Sequence, residues 1–297
     1  MTPARLHRER MAALAAANAA DPKPVVSSAE GGPPSAPPLP ATSAERTPAM
    51  LYRERAAAAA LVAAPQQAGP AEARVTAQIV LRFTHDLRRL KEIRSIDRKI
   101  EAKREMLPEY AAWIEGLIAA DAGVGTGVAA EVLPTCLVWL IDIGEFGQAL
   151  DLVPFLFRHQ VAMPARYQRD AATIVVEEIA TAAARAQNLG NAFPLDILER
   201  VDDLTAHLDL HDEVRAKLVK AIGIEQLRAA EDLPVQESKA ALAATIATLR
   251  DAQRLNDRIG VRDRIKRADK LLAAVTAAEA EPEHAPAQTT EPGGTAA

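Results

Sequence analysis

A chain of 297 residues has room for one or two domains, and its 49% hydrophobic content is largely alanine, with aromatics at only 3%. Alanine favours helix but buries little area per residue, so these numbers call for a thin helical core. The single cysteine, Cys136, excludes an intrachain disulfide and any multi-thiolate metal site, and the net charge of −5 hides an uneven distribution.

Residues 1–72 carry eleven of the twenty prolines, most of them in the stretch DPKPVVSSAEGGPPSAPPLPATSAERTP. Such a segment cannot bury enough apolar surface to offset its ordering entropy, and it reads as disordered. Short alanine-rich pieces over Pro3–Ala20 and Met50–Ala64 are expected as transient helices only. The start of the chain lacks the leucine-rich core of a secretory signal, and no eighteen-residue window is apolar enough for a membrane span. The expectation is a cytoplasmic protein without a membrane partner.

The folded body is expected over 73–279. Val75, Ile79, Phe83, Leu87, Leu90, Ile93 and Ile100 recur at three- and four-residue steps, which predicts one long helix ending at Leu107-Pro108. Further helices are predicted at about 109–120, 129–143, 146–160, 170–188, 194–208, 211–222, 236–255 and 260–279, with breaks at glycines and prolines including Gly144, Gly190 and Gly223. No alternating, valine-rich strand is visible. The fold class is therefore all-α: a long basic N-terminal helix, then stacked antiparallel helix pairs of tetratricopeptide-like character, with disordered tails. Gly144-Glu-Phe-Gly-Gln-Ala-Leu-Asp resembles the turn of such a hairpin, where a small residue lets paired helices approach. Residues 280–297 form an acidic tail: from Glu279 onward there are four Glu and no Lys or Arg.

Between Arg74 and Arg104 ten Lys/Arg stand against four Asp/Glu. Arg82, Arg88, Arg89, Lys91, Arg94, Arg98, Lys99, Lys103 and Arg104 cover most of the face opposite the Phe83/Leu90/Ile93 stripe, and they are the candidate DNA-binding residues. Each phosphate neutralised by such a side chain releases counterions, which is the source of sequence-independent affinity. The plainer alternative is a solvated helix laced with i,i+4 ion pairs through Asp86, Glu92, Asp97 and Glu101. The apolar stripe itself predicts docking onto the protein's own body, because two aspartates in the seam make a poor coiled coil.

Nothing in the sequence points to a catalytic centre. Phosphodiester hydrolysis needs carboxylates converging on Mg²⁺, and Asp142, Glu145, Asp151, Glu177, Glu178, Asp202, Asp203, Asp212 and Glu213 show no such spacing. Asp142 and Asp212 suit helix caps near Glu145 and Glu213. His207 and His211 share a face but lack a third ligand, and the Gly123–Gly127 loop lacks the Lys-Ser/Thr of a phosphate loop. Trp113, Trp139, Phe155 and Phe157 read as core anchors, and Cys136 as a small hydrophobe. No cofactor and no metal are expected.

One collinear series carries a resemblance: Leu90-Lys91, Lys103 to Pro108, Trp113, Val138-Trp139, Asp142-Ile-Gly144, Ala149-Leu150, Met163-Pro164, Glu177-Glu178, Ala182 and Asp212 to Leu218. It resembles the small terminase subunit of tailed phages that package from cohesive-end concatemers, a group often labelled the terminase endonuclease subunit. The resemblance covers roughly 80–275. It implies a component of the viral DNA-packaging motor that binds double-stranded DNA at the packaging site, assembles as a homo-oligomer and works with the large ATPase subunit in the host cytoplasm. In a bacterial genome it implies a prophage. Mg²⁺ enters only if this subunit is itself the endonuclease, and a protein-only helical scaffold is the remaining alternative. The Pro-rich N-terminal segment and the acidic tail depart from the pattern.

Overall fold

The computed structural model describes residues 46–280 apart from 64, 65 and 67, and among them every regular element is helical. The Pro-rich stretch before Arg46, with its expected Pro3–Ala20 helix, and the tail after Ala280 lie outside the described residues. In chain order the helices are α1 Pro48–Ala63, α2 Pro70–Glu92, α3 Ile96–Met106, α4 Ala111–Ala120, α5 Gly127–Ala130, α6 Val132–Asp142, α7 Phe146–Arg158, α8 Ala171–Asn188, α9 Leu195–Thr205, α10 Asp212–Asp232, α11 Val235–Leu255 and α12 Arg262–Ala280, with a 3₁₀ turn at Leu107–Tyr110. The all-α reading holds.

Three boundaries differ from expectation. The first is α1, which the sequence pattern places outside the body. Ala57 and Ala58 are fully buried, and α1 packs on α2 and α4. The reason is Gly116 in α4: a Cβ there would sit 2.7 Å from the Arg55 Cα and 2.9 Å from the Ala58 Cβ, so only glycine lets the two backbones approach this closely. Glu54 adds a polar tie, pairing with Arg46 and lying 3.5 Å from Arg82 on α2.

The second is Gly223, expected as a break but found inside α10. A Cβ there would lie 2.6 Å from the Leu249 side chain, so the glycine serves close approach of α10 and α11. Their direction follows from partners: Gly223 meets Leu249, while Leu227 and Ala230 cluster with Leu242 and Ile246 earlier in α11, which makes the pair antiparallel. Gly144 is the converse case. Its Cβ position is open, and it is needed for its φ of +87° at the α6–α7 turn rather than for helix approach.

The third is the long N-terminal helix, which is two. α2 stops at Glu92, Ile93 is extended, and α3 starts after Ser95, whose hydroxyl caps it by accepting from the Arg98 amide at 3.5 Å. Its apolar stripe docks on the body as expected. Phe83 is fully buried and meets Tyr110 and Trp139 with ring centroids 6.0 and 6.3 Å away. Asp86, in the same stripe, is buried and accepts from the Tyr110 hydroxyl at 2.6 Å. Burial and that bond push the Tyr110 phenol well above its ordinary range. Trp113, Trp139, Phe155 and Cys136 are buried in the same core, while Phe157 is half-buried at its edge.

Candidate nucleic-acid interface

The nine candidate cations divide by what surrounds them. Arg82 turns inward, donating to the Glu109 carbonyl at 3.0 Å beside the Glu54 carboxylate. Lys103 is largely covered, at 14% side-chain exposure, and pairs with Asp142 at the end of α6. Arg104 donates to the Ile143 carbonyl at 3.2 Å, and Arg89 bridges α2 to α3 through Glu105 at 2.6 Å. These four hold the elbow together and onto the body.

The other five have no side-chain partner among the described residues. Arg88 and Lys91 lie in the last two turns of α2, Arg94 in the break, and Arg98 and Lys99 in the first turn of α3. All are exposed except Lys99, which is half-buried. The break therefore gathers them round one corner instead of spreading them along a rod. Glu92 and Asp97 share this surface and are also exposed, and the expected i,i+4 pairs with them do not form. Arg88, Arg89, Lys91, Arg94, Arg98 and Lys99 against Glu92 and Asp97 leave a net charge of +4 over 88–99.

A local signal for this elbow is present in the sequence, though the periodicity overrides it: a serine ahead of Asp97 is a helix-start pattern. Two expected caps also fall elsewhere. Asp142 ends α6 and pairs with Lys103, and Asp212 is the first residue of α10 rather than its cap. The side-chain cap that does form further on is Asp170 on α8.

Among the described residues these carboxylates do not gather into one metal-holding group. Glu177 is paired with Arg169 and Lys217, and Asp151 with Arg200 at 2.7 Å. Glu199, Asp202, Asp203 and Asp251 do line one cavity of about 630 Å³, with Arg215. There burial holds the Asp202 carboxyl above its usual range against the pull of Arg215. Yet among the described residues no three His, Cys, Asp or Glu stand where they could hold a metal ion. The residues present do not fit the Mg²⁺ that an endonuclease would need. No helix among the described residues is long and apolar enough to cross a membrane.

Comparison with known proteins places this architecture. The family described as phage small terminase subunit matches residues 80–213, a span that contains the whole elbow. The terminase, endonuclease subunit, of Escherichia phage P2 is 32% identical over 227 residues, covering 76% of this chain and 85% of that protein. No solved structure matches. With that identity over most of both chains, the chain belongs to the phage small terminase subunit family.

Proposed function

We propose that this chain is the DNA-contacting adaptor of phage genome packaging. It binds viral duplex at the packaging site through the α2–α3 elbow, assembles there as a homo-oligomer, and passes the duplex to the large ATPase subunit in the host cytoplasm. The observation that supports this is the cluster of five unpaired cations, Arg88, Lys91, Arg94, Arg98 and Lys99, at a corner built by ion pairs elsewhere on the same two helices. Five phosphate contacts give a dependence of log affinity on log salt of about −4.5, or on the order of 10²- to 10³-fold weaker binding between 50 and 200 mM salt.

The test is duplex affinity of the full chain against potassium chloride concentration. The triple variant Arg88→Ala, Arg94→Ala, Arg98→Ala should lose about 2.7 from that slope and bind more weakly at every salt. Unchanged duplex binding by a folded triple variant removes the elbow from the reading.

A second reading is favoured by the name of the P2 relative, terminase, endonuclease subunit. Under it this subunit cuts the duplex itself. Nicking of plasmid by the isolated chain, dependent on added Mg²⁺, would establish it.

A further inference from the structure

The hairpin between α11 and α12 holds a group of cations that the sequence pattern does not single out and that lies beyond the family-matched residues 80–213. Its connection is built firmly. Asn256 accepts from the Arg258 amide at 3.0 Å, Lys220 of α10 donates to the Ile259 carbonyl at 2.7 Å, and Val261 and Ile265 pack on Leu249. On this frame Arg258, Arg262, Lys266 and Lys270 are exposed and Arg264 is half-buried. None of the five has a side-chain partner among the described residues.

The neighbouring ion pairs show that this is not for want of carboxylates nearby. Arg250 takes Asp269 at 3.2 Å, Arg254 takes Asp251 at 2.6 Å, and Arg267 takes Glu231 at 2.6 Å. Arg258, Arg262, Lys266 and Lys270 against Asp257 and Asp263 leave this face at +2. Arg258, Arg262, Lys266 and both aspartates line one open cavity of about 470 Å³. Behind it, burial and then the charge of Arg264 hold the Lys220 ammonium below the usual lysine range. Two cations are thus held near each other, and Lys220 donates to a backbone carbonyl rather than to a carboxylate.

We propose that this α11–α12 surface is a second seat for duplex phosphates, separate from the elbow. It rests on the reading that the partner is viral duplex, and it adds a contact that the elbow alone does not supply. The spacing suits a regular polyanion. Arg262, Lys266 and Lys270 recur every four residues on one face of α12, about 6 Å apart along its axis. A DNA strand advances about 3.4 Å per phosphate, so this row runs beside roughly three to four of them. The chain's own residues 281–297 offer a poorer match: Glu281, Glu283 and Glu291 place three carboxylates over seventeen residues.

The experiment is fluorescence anisotropy of a labelled duplex with the full chain across a potassium chloride series. It compares the wild type, the triple variant Arg258→Ala, Arg262→Ala, Lys266→Ala, the elbow triple variant, and their combination. The hairpin variant should lose about 2.7 from the salt slope, with a further similar loss in the combination. Lysine at positions 258 and 262 should restore most of it, which separates charge from local folding. A hairpin variant with wild-type affinity and slope overturns this proposal and leaves the elbow untouched. Loss in the hairpin variant alone overturns the elbow reading and keeps this one. If removing 281–297 tightens duplex binding in the wild type but not in the hairpin variant, and the hairpin variant shows no loss of slope, the seat belongs to the chain's own tail and the proposal falls.

Discussion

Asp170 shows how much one side chain can fix. It accepts from the Thr173 amide at 2.9 Å and from the Thr173 hydroxyl at 2.8 Å, closing the first turn of α8. Burial alone would push its carboxyl up, but hydrogen bonds from Thr173 and from the Asp170 and Ala172 amides together outweigh that and hold it below the usual aspartate range. A carboxyl depressed in the folded state contributes stability that is present above the unfolded value of about 3.9 and is lost as pH falls through the folded one. Asp170→Ala should therefore cost about 1 kcal/mol at pH 7, read from denaturant midpoints, with the deficit shrinking below about pH 4. An equal deficit at pH 7 and pH 2.5 would mean the charge contributes nothing. Caps of this kind are only half legible in the sequence. The residue types are right, but Asp142 and Asp170 differ in whether the chain ahead of them stops being helical, and Lys103, 39 residues away, claims Asp142. Local spacing cannot report a partner that distant.

At the scale of helices, the information missing from the sequence is close approach. Periodicity locates α4, α6 to α9, α11 and α12 to within a few residues, because each carries an apolar stripe packed on buried neighbours, while α10 runs ten residues past its expected end. α1 has no such stripe. Its contact is made by alanines against Gly116, so its burial depends on a residue 58 positions later than Ala58 in the chain. Gly116→Ala should destabilise the fold by about 1–3 kcal/mol through overpacking, even though alanine is the better helix former by up to about 1 kcal/mol. Gly147→Ala is the matched control: the same exchange in α7 meets nothing within 4 Å and should be neutral or stabilising by a few tenths. Thermal melts of both variants decide the matter, since equal shifts of the same sign would dismiss the close-approach account. The elbow escapes a sequence reading for the opposite reason. The apolar repeat from Ile79 to Ile100 continues in register across the break, and three non-helical residues do not disturb it enough to be seen.

At the scale of the molecule, the buried side chains among the described residues fall into one large cluster, from Ala57 to Ile222, and two small ones in the C-terminal hairpins. Of the α12 residues whose burial is described, only Ile265, Ala268 and Val275 are buried. Regions with few buried apolar contacts open at a fraction of the global free energy. Backbone amides of α12 should thus exchange with solvent at least tenfold faster than those of α6, a gap of about 1.4 kcal/mol, and comparable protection of the two helices would refute the division. The same long-range logic explains why the cationic surface is only partly legible: composition marks all nine side chains, but Glu105, Glu109, Asp142 and the Ile143 carbonyl, 16 to 39 positions away, withdraw four of them. Those withdrawn four have a mechanical meaning. The far end of α3 is riveted to the α6–α7 turn by Lys103 and Arg104, and its flank is strapped to α2 by Arg89. A tug on the corner would run down α3 as along a short lever arm into the end of α6, the helix that carries Trp139. The corner and the buried ring cluster around Trp139 are thereby coupled, and rising ionic strength would slacken the ion pairs that couple them.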